Sequence, residues 1–65
     1  MNTNWQYLIS INPDIRFGKP VITGTRICVS DILSWLSTGM SFEEIIEDFP
    51  ELNKEHILAA LAFTA

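Results

Sequence analysis

The sequence comprises 65 residues, of which 48% are hydrophobic and 18% are charged, and its formal net charge is −4. This composition excludes an intrinsically disordered chain, and the length allows one small domain, residues 1–65. A domain of this size buries only about 60% of the surface that its unfolded chain exposes. Small domains often gain the missing stability by association, so we expect a homodimer.

The residue inventory also excludes several kinds of site. The chain has one cysteine, Cys28, and one histidine, His56, which form neither an internal disulfide nor a metal-ligand set. Cys28 lies in an apolar run and is predicted to be a buried core residue. No stretch approaches the about 20 apolar residues of a membrane span, and we expect no secretory signal, because MNTNWQY shows no charged region followed by a hydrophobic run. We expect a cytoplasmic protein that binds no membrane, cofactor or small-molecule substrate.

Charge is distributed unevenly along the chain. Residues 1–40 contain three basic and two acidic residues, a net charge of +1, whereas residues 41–65 contain six acidic residues and one basic residue, a net charge of −5. Such an acidic segment suits a basic protein surface better than it suits a phosphate backbone.

The N-terminal part of the chain predicts an extended arm, residues 1–29. Residues 1–6 are expected to be loose, and the alternation of apolar and polar residues over 7–11 predicts a short strand. The Asn-Pro-Asp sequence at 12–14 predicts a turn. In segment 20–29, a central glycine can supply the positive φ of a tight turn, so we expect a small β-hairpin or extended arm there.

The first predicted helix follows this arm. Ser30 is expected to cap it, Asp31 suits the positive N-terminal end of the helix dipole, and Gly39 is expected to end it in a left-handed conformation. Its predicted buried stripe comprises Ile32, Leu33 and Leu36.

Two further helices are predicted after it. Ser41 and Glu44 have the spacing of a capping box, and the apolar face behind them comprises Phe42, Ile45, Ile46 and Phe49. Asn53 is expected to cap the third helix, whose predicted core face comprises Ile57, Leu58, Leu61 and Ala65. Three short helices with tight connections predict a mainly α fold, a homeodomain-like helix-turn-helix bundle at residues 30–65.

The chain contains the runs INPDIRFGKPVITGTRI, VSDILSWLSTGMSFEEIIEDFPEL and HILAALAF. These runs closely resemble the bacterial domain-of-unknown-function 433 family, from about Ile9 to Phe63. The resemblance implies a homeodomain-like three-helix fold, a prokaryotic cytoplasmic setting and no catalytic residues. It also implies an antitoxin role, because members of this family resemble VapB-type antitoxins and are often encoded beside a PIN-like ribonuclease toxin.

Nucleic-acid binding is one hypothesis for the function. Affinity for DNA comes from lysine and arginine residues that neutralise phosphates, and bases are read by arginine, lysine, asparagine or glutamine. Helix 53–64 offers small and aromatic residues instead, and the helix before it carries carboxylates. The candidate DNA contacts are therefore Arg16, Lys19 and Arg26 of the arm. The alternative is that these three are ordinary solvated charges or partners of the acidic helices.

Protein binding is the second hypothesis. Helix 53–64 is expected to turn a strip of small and aromatic residues away from its core face, where a partner could approach closely. The candidate interface residues are Trp35, His56, Ala59, Ala60 and Phe63. The alternative is that Trp35 and Phe63 complete the core under the N-terminal arm.

The sequence does not predict an enzyme, because no serine or cysteine nucleophile is paired with a base. The carboxylates of the second helix, on the side opposite its apolar face, predict a solvated acidic surface. With the family resemblance, the predicted function is an antitoxin or regulatory partner that neutralises a ribonuclease toxin by stoichiometric binding, with autoregulatory DNA binding in addition. The alternative function is a stand-alone helix-turn-helix DNA-binding transcriptional regulator.

Overall fold

The computed structural model describes residues 5–64. In chain order, these residues form a 3₁₀ helix (Trp5–Leu8), β1 (Ile9–Ser10), a left-handed turn (Arg16–Gly18), β2 (Val21–Ile22), α1 (Val29–Ser37), α2 (Phe42–Asp48) and α3 (Lys54–Thr64). The prediction of a mainly α fold with three helices behind a short N-terminal β-hairpin is confirmed. Over the described range, no helix has the length and apolar character needed to cross a membrane.

The small sheet joins two segments of the N-terminal arm. Its strands β1 and β2 pair antiparallel in the register Ile9–Ile22 and Ser10–Val21. The hairpin predicted in segment 20–29 is closed by a single bridge between Val21 and Cys28. At its tip, Gly24 has a φ of +84°, the left-handed conformation that glycine adopts without steric cost.

The strand predicted from Tyr7 onward is shorter than expected, because Trp5–Leu8 forms a 3₁₀ helix. This 3₁₀ helix packs along α3. Because it has three residues per turn, Trp5 and Leu8 lie on the same side of it. Trp5 meets Phe63 edge to face, with ring centroids 5.8 Å apart. The looseness expected for residues 1–6 is therefore wrong for the last two of them, and the first four lie outside the described residues.

The ends of α1 are set by residues close to them in sequence. Its N-cap is Cys28, so the prediction that Ser30 caps the helix is wrong. The Cys28 backbone N–H donates to Asp31 Oδ2 at 3.0 Å, which makes Asp31 the N3 carboxylate of a capping box. At the other end, Gly39 has a φ of +99° and ends the helix as predicted.

Both later helices begin with a reciprocal pair of hydrogen bonds. The Ser41 N–H donates to Glu44 Oε1 at 2.8 Å, and the Glu44 N–H donates to Ser41 Oγ at 3.1 Å, which confirms the predicted capping box. At α3, the His56 N–H donates to Asn53 Oδ1 at 3.1 Å, and the Asn53 N–H donates to His56 Nδ1 at 3.0 Å. Asn53 is therefore the cap that was predicted, and His56 takes the place of the usual glutamate.

The core lies between β2 and the three helices. Its buried residues are Ile22, Val29, Ile32, Ile45, Leu52, Ile57 and Ala60. Leu33 and Leu36, predicted to be buried with Ile32, are partly buried and pack against this cluster. Cys28 is 1% exposed, which confirms its prediction as a small core residue.

The core face predicted for α3 is confirmed for Ile57, which is 0% exposed, and wrong for the two leucines. Leu58 and Leu61 are 40% and 39% exposed, whereas Ala59 and Ala60 are 2% and 0% exposed. Ala65, which was predicted to share that core face, lies outside the described residues. The middle of α3 is apolar on every side, so periodicity alone does not define its buried face. Alanines on the inner face let α3 approach its neighbours closely.

Candidate functional site

The left-handed turn presents an aromatic side chain to solvent. Phe17 is 96% exposed, the highest value among the large hydrophobic side chains of residues 5–64. Arg16, Phe17 and Gly18 have φ values of +51°, +61° and +81°. A left-handed conformation costs about 1–2 kcal/mol for a residue other than glycine, so two consecutive residues here are strained. Strained backbone concentrates at functional sites, which makes this turn a candidate binding site.

Hydrogen bonds fix the backbone that leads into the turn. The Asp14 N–H donates to Asn12 Oδ1 at 2.9 Å, and the Ile15 N–H donates to the Asn12 carbonyl at 2.9 Å. These bonds confirm the turn predicted at 12–14. The Gly18 N–H then donates to the Ile15 carbonyl at 3.1 Å. The direction in which Phe17 leaves the surface is therefore set by the fold.

The side chain of Arg16 ties this turn to the rest of the chain. Its Nη1 donates to the Arg26 carbonyl at 2.8 Å and lies 3.4 Å from Asp31 Oδ2, with both side chains about one third exposed, 37% and 34%. The same Asp31 oxygen caps α1. Arg16, predicted as a DNA contact, is thus engaged inside the chain, with a carboxylate of α1 and a backbone carbonyl of the arm.

The other two predicted DNA contacts lie near the same turn. Lys19 follows the turn directly. Arg26 is joined to the turn through its carbonyl, which accepts the hydrogen bond from Arg16. Both Lys19 and Arg26 are exposed. Three cations here, with Asp14 and Asp31 as the carboxylates, give a local charge of +1. Binding to a phosphate backbone draws on several uncompensated cations, so the small charge of this region does not favour a phosphate-binding surface.

A second exposed apolar surface lies where α3 meets the 3₁₀ helix. We call it the Leu58 face, and it comprises Tyr7, Leu58 and Leu61. Tyr7 is 78% exposed, and the two leucines are about 40% exposed, at 40% and 39%. A groove of about 370 Å³ opens beside it, lined by Trp5, Tyr7, Leu8, Asn53, Glu55, Leu58 and Ala59. This face is apolar with a carboxylate at its border, a composition suited to contact with protein.

The strip predicted to face outward on α3 is turned inward. Ala59 and Ala60 are buried, so the prediction that they are exposed to a partner is wrong. His56 is partly buried and caps α3, and Phe63 packs against the core. The physical reason is packing from two sides: Ala60 belongs to the core cluster, whereas Ala59 lies near Trp5 and Leu8 and Phe63 meets the ring of Trp5.

Trp35, the remaining predicted interface residue, is partly buried. Its ring stacks on that of Phe49, with centroids 4.2 Å apart and planes inclined by 10°. Both side chains pack against the core cluster. This agrees with the alternative given from the sequence, in which Trp35 and Phe63 complete the core.

The carboxylates of α2 lie on a solvated face. Its four acidic residues are all exposed, as predicted: Glu43, Glu44, Glu47 and Asp48. Among residues 5–64, no three His, Cys, Asp or Glu side chains are grouped as metal ligands would be. The acidic face therefore contributes charge to the surface of the helical half.

Sequence reasoning missed both Phe17 and the Leu58 face. One sequence feature could have indicated the first: Phe17 lies between a predicted turn and Gly18, within a segment too short to bury an aromatic ring. No sequence feature indicated the Leu58 face, because Leu58 and Leu61 occupy positions that also suit a core face.

Comparisons with known proteins give a consistent assignment. A family model described as a protein of unknown function (DUF433) matches residues 9–64. The uncharacterized protein y4eO of Sinorhizobium fredii is 38% identical over 53 residues, which make up 82% of this chain and 24% of that protein. The crystal structure of a DUF433 member protein from Anabaena variabilis matches with a TM-score of 0.84 and 29% identity, covering 89% of this chain and 57% of that one. The chain thus spans about a quarter of the curated relative that it matches.

Proposed function

This chain belongs to the DUF433 family, and we propose that it is the antitoxin, or regulatory partner, of a bacterial toxin–antitoxin pair. It binds a PIN-like ribonuclease toxin in a stoichiometric complex and thereby blocks the toxin. The resemblance of this family to VapB-type antitoxins supports a ribonuclease toxin as the partner. The exposed surface of the chain supports protein, rather than DNA, as what the helices contact.

The observation that carries this proposal is the exposed side of α3. In a helix-turn-helix protein, the last helix of the unit enters the major groove and reads bases with arginine, lysine, asparagine or glutamine. The exposed residues of α3 are Lys54, Glu55, Leu58, Leu61 and Thr64. Two leucines at the centre of this side, extended by Tyr7, form an apolar surface that suits a protein partner.

Charge supports the same partner. Residues 41–65 have a net charge of −5, and their six acidic residues are all exposed. A ribonuclease binds a polyanion and therefore needs a basic surface. Electrostatic complementarity between such a surface and the acidic helices accelerates association and helps to select the partner.

The experiment is capture of the tagged protein from cells of its own organism, followed by identification of the proteins that co-purify. We expect one small ribonuclease in equimolar amount, and we expect the purified chain to inhibit its cleavage of RNA. Tyr7→Asp and Leu58→Asp place a charge on the Leu58 face and should weaken both capture and inhibition. Ser34→Asp is the matched control, because it adds the same charge at an exposed position of α1.

The alternative function, a stand-alone DNA-binding regulator, predicts a different outcome. The chain would then be recovered with DNA and no stoichiometric protein. Its affinity for DNA would fall steeply with salt and would be lost when Lys19 and Arg26 are replaced by alanine. Equal capture by Leu58→Asp and the unchanged chain, with circular dichroism spectra of folded protein for both, would contradict the assignment of the Leu58 face.

A further inference from the structure

The ring of Phe17 has no packing role that explains why the left-handed turn carries it. Phe17 is 96% exposed, so its ring contributes almost nothing to the core. Its backbone nevertheless has a φ of +61° and a ψ of +32°, a conformation that bulky residues rarely adopt. A glycine would relieve this strain, yet the position carries an aromatic residue that is directed into solvent.

The backbone of the turn is also held by hydrogen bonds on both sides. The Arg16 guanidinium fixes it to the Arg26 carbonyl at 2.8 Å, and Gly18 and Lys19 donate backbone hydrogen bonds back to the carbonyls of Ile15 and Arg16, at 3.1 and 3.2 Å. A backbone that is held in place before binding loses little conformational freedom when the partner binds. Exposed aromatic residues of this kind act as anchors that fill a pocket of a partner.

Charges around the ring define the chemistry of that pocket. Lys19 and Arg26 are both exposed; Lys19 follows the turn directly, and the hydrogen bond from Arg16 joins Arg26 to it, so cations flank the turn. Stacking on a nucleic-acid base would also use an aromatic ring beside cations. The whole chain carries −4, however, which disfavours an extended phosphate backbone, whereas two exposed cations are enough to pair with single carboxylates at the border of a protein pocket.

We propose that Phe17 is an anchor residue that inserts into an apolar pocket bordered by carboxylates on the protein partner of this chain. This inference rests on the proposed function, since it assumes a protein partner. Phe17 would be a second contact with this partner, in addition to the Leu58 face. Lys19 and Arg26 form ion pairs with the carboxylates at the border of the pocket, whereas Arg16 keeps the turn in its binding conformation.

The test uses the full chain and the protein recovered with it, both purified, with dissociation constants measured by calorimetry. Phe17→Ala is expected to weaken binding by about 30-fold or more, the size of effect typical of an anchor residue. Ile11→Ala is the matched control, because Ile11 is also apolar and exposed, at 63%, and its affinity should stay within about threefold of the unchanged chain. Lys19→Glu and Arg26→Glu should slow association, and this effect should diminish as the salt concentration rises.

Each outcome decides a different question. Unchanged affinity in Phe17→Ala, with affinity lost in Leu58→Asp, overturns the anchor and leaves the proposed function standing. Capture of no protein by the unchanged chain overturns both. A fluorescein-labelled oligodeoxythymidine serves as the nucleic-acid probe: binding that depends on Phe17 would assign the ring to base stacking and overturn the protein pocket. Thermal unfolding of Phe17→Ala should match that of the unchanged chain, since a residue with a packing role would lower the melting temperature.

Discussion

Asp31 and Arg16 connect the helical unit to the N-terminal arm through one carboxylate oxygen. Asp31 Oδ2 accepts the Cys28 N–H at 3.0 Å and lies 3.4 Å from Arg16 Nη1. The carboxylate stands in the first turn of α1, where the helix dipole favours a negative charge. One oxygen atom therefore caps α1 and holds the left-handed turn beside it.

Replacing Asp31 with alanine removes both interactions, so we expect the free energy of unfolding to fall by about 1–2 kcal/mol. The Arg16 side chain is 37% exposed, and ion pairs this exposed contribute little. Most of the loss should therefore come from the cap. Arg16→Ala should lower the free energy of unfolding by less, about 1 kcal/mol, chiefly through its bond to the Arg26 carbonyl. Urea denaturation of both variants checks this order, and a larger loss in Arg16→Ala would contradict it.

The reciprocal cap of α3 gives a second prediction. Asn53→Ala leaves the backbone N–H of His56 without its acceptor, and we expect the free energy of unfolding to fall by about 1 kcal/mol. His56→Ala removes the other half of the pair and should have a similar or smaller effect. His56→Glu restores the usual capping-box partner and should keep the stability of the unchanged chain. Unchanged stability in His56→Ala would show that the reciprocal hydrogen bond contributes nothing, and equal destabilisation by both variants would show that glutamate does not replace the imidazole.

Helix ends could be predicted from the sequence because the groups that determine them lie within a few residues of one another. Ser41 with Glu44, Asn53 at the start of α3 and Gly39 at the end of α1 all satisfy or interrupt local backbone hydrogen bonds. The start of α1 was mispredicted because a contact outside the helix determines it. Ser30 is a favourable cap residue, but the chain enters the helix two residues earlier, at Cys28, where the bridge to Val21 sets its direction.

The buried face of α3 and the left-handed backbone at Phe17 could not be predicted, because both depend on contacts between distant residues. Which side of an all-apolar helix is buried depends on what packs against it, here the segment Trp5–Leu8. The left-handed backbone at Phe17 is held by the bond from Arg16 to a carbonyl ten residues along the chain. Local preferences disfavour this conformation for phenylalanine, so the sequence argues against the geometry that forms the candidate site.

The buried face of α3 can be tested by exchanging the sizes of two neighbouring residues. Ala60 is fully buried, at 0% exposed, and Ala60→Leu adds three carbons to a packed core, which should lower the free energy of unfolding by about 1–3 kcal/mol. Leu61 is 39% exposed, so Leu61→Ala should cost about 1 kcal/mol. Urea denaturation midpoints rank the two variants. The reverse ranking would restore the core face that the sequence alone predicted.

The strain at Phe17 yields the last prediction, and it separates stability from binding. Because the φ of +61° is unfavourable for any residue with a Cβ atom, Phe17→Gly should be more stable than Phe17→Ala by about 1 kcal/mol. The flexibility of glycine in the unfolded chain reduces this gain by part of that amount. Both variants lack the ring, so both should lose affinity for the partner. Denaturant titration measures the difference in stability, and calorimetry measures the affinity. A Phe17→Gly variant less stable than Phe17→Ala would show that the turn is not strained. A stable Phe17→Gly variant that no longer binds would show that the chain keeps a strained backbone in order to present the ring.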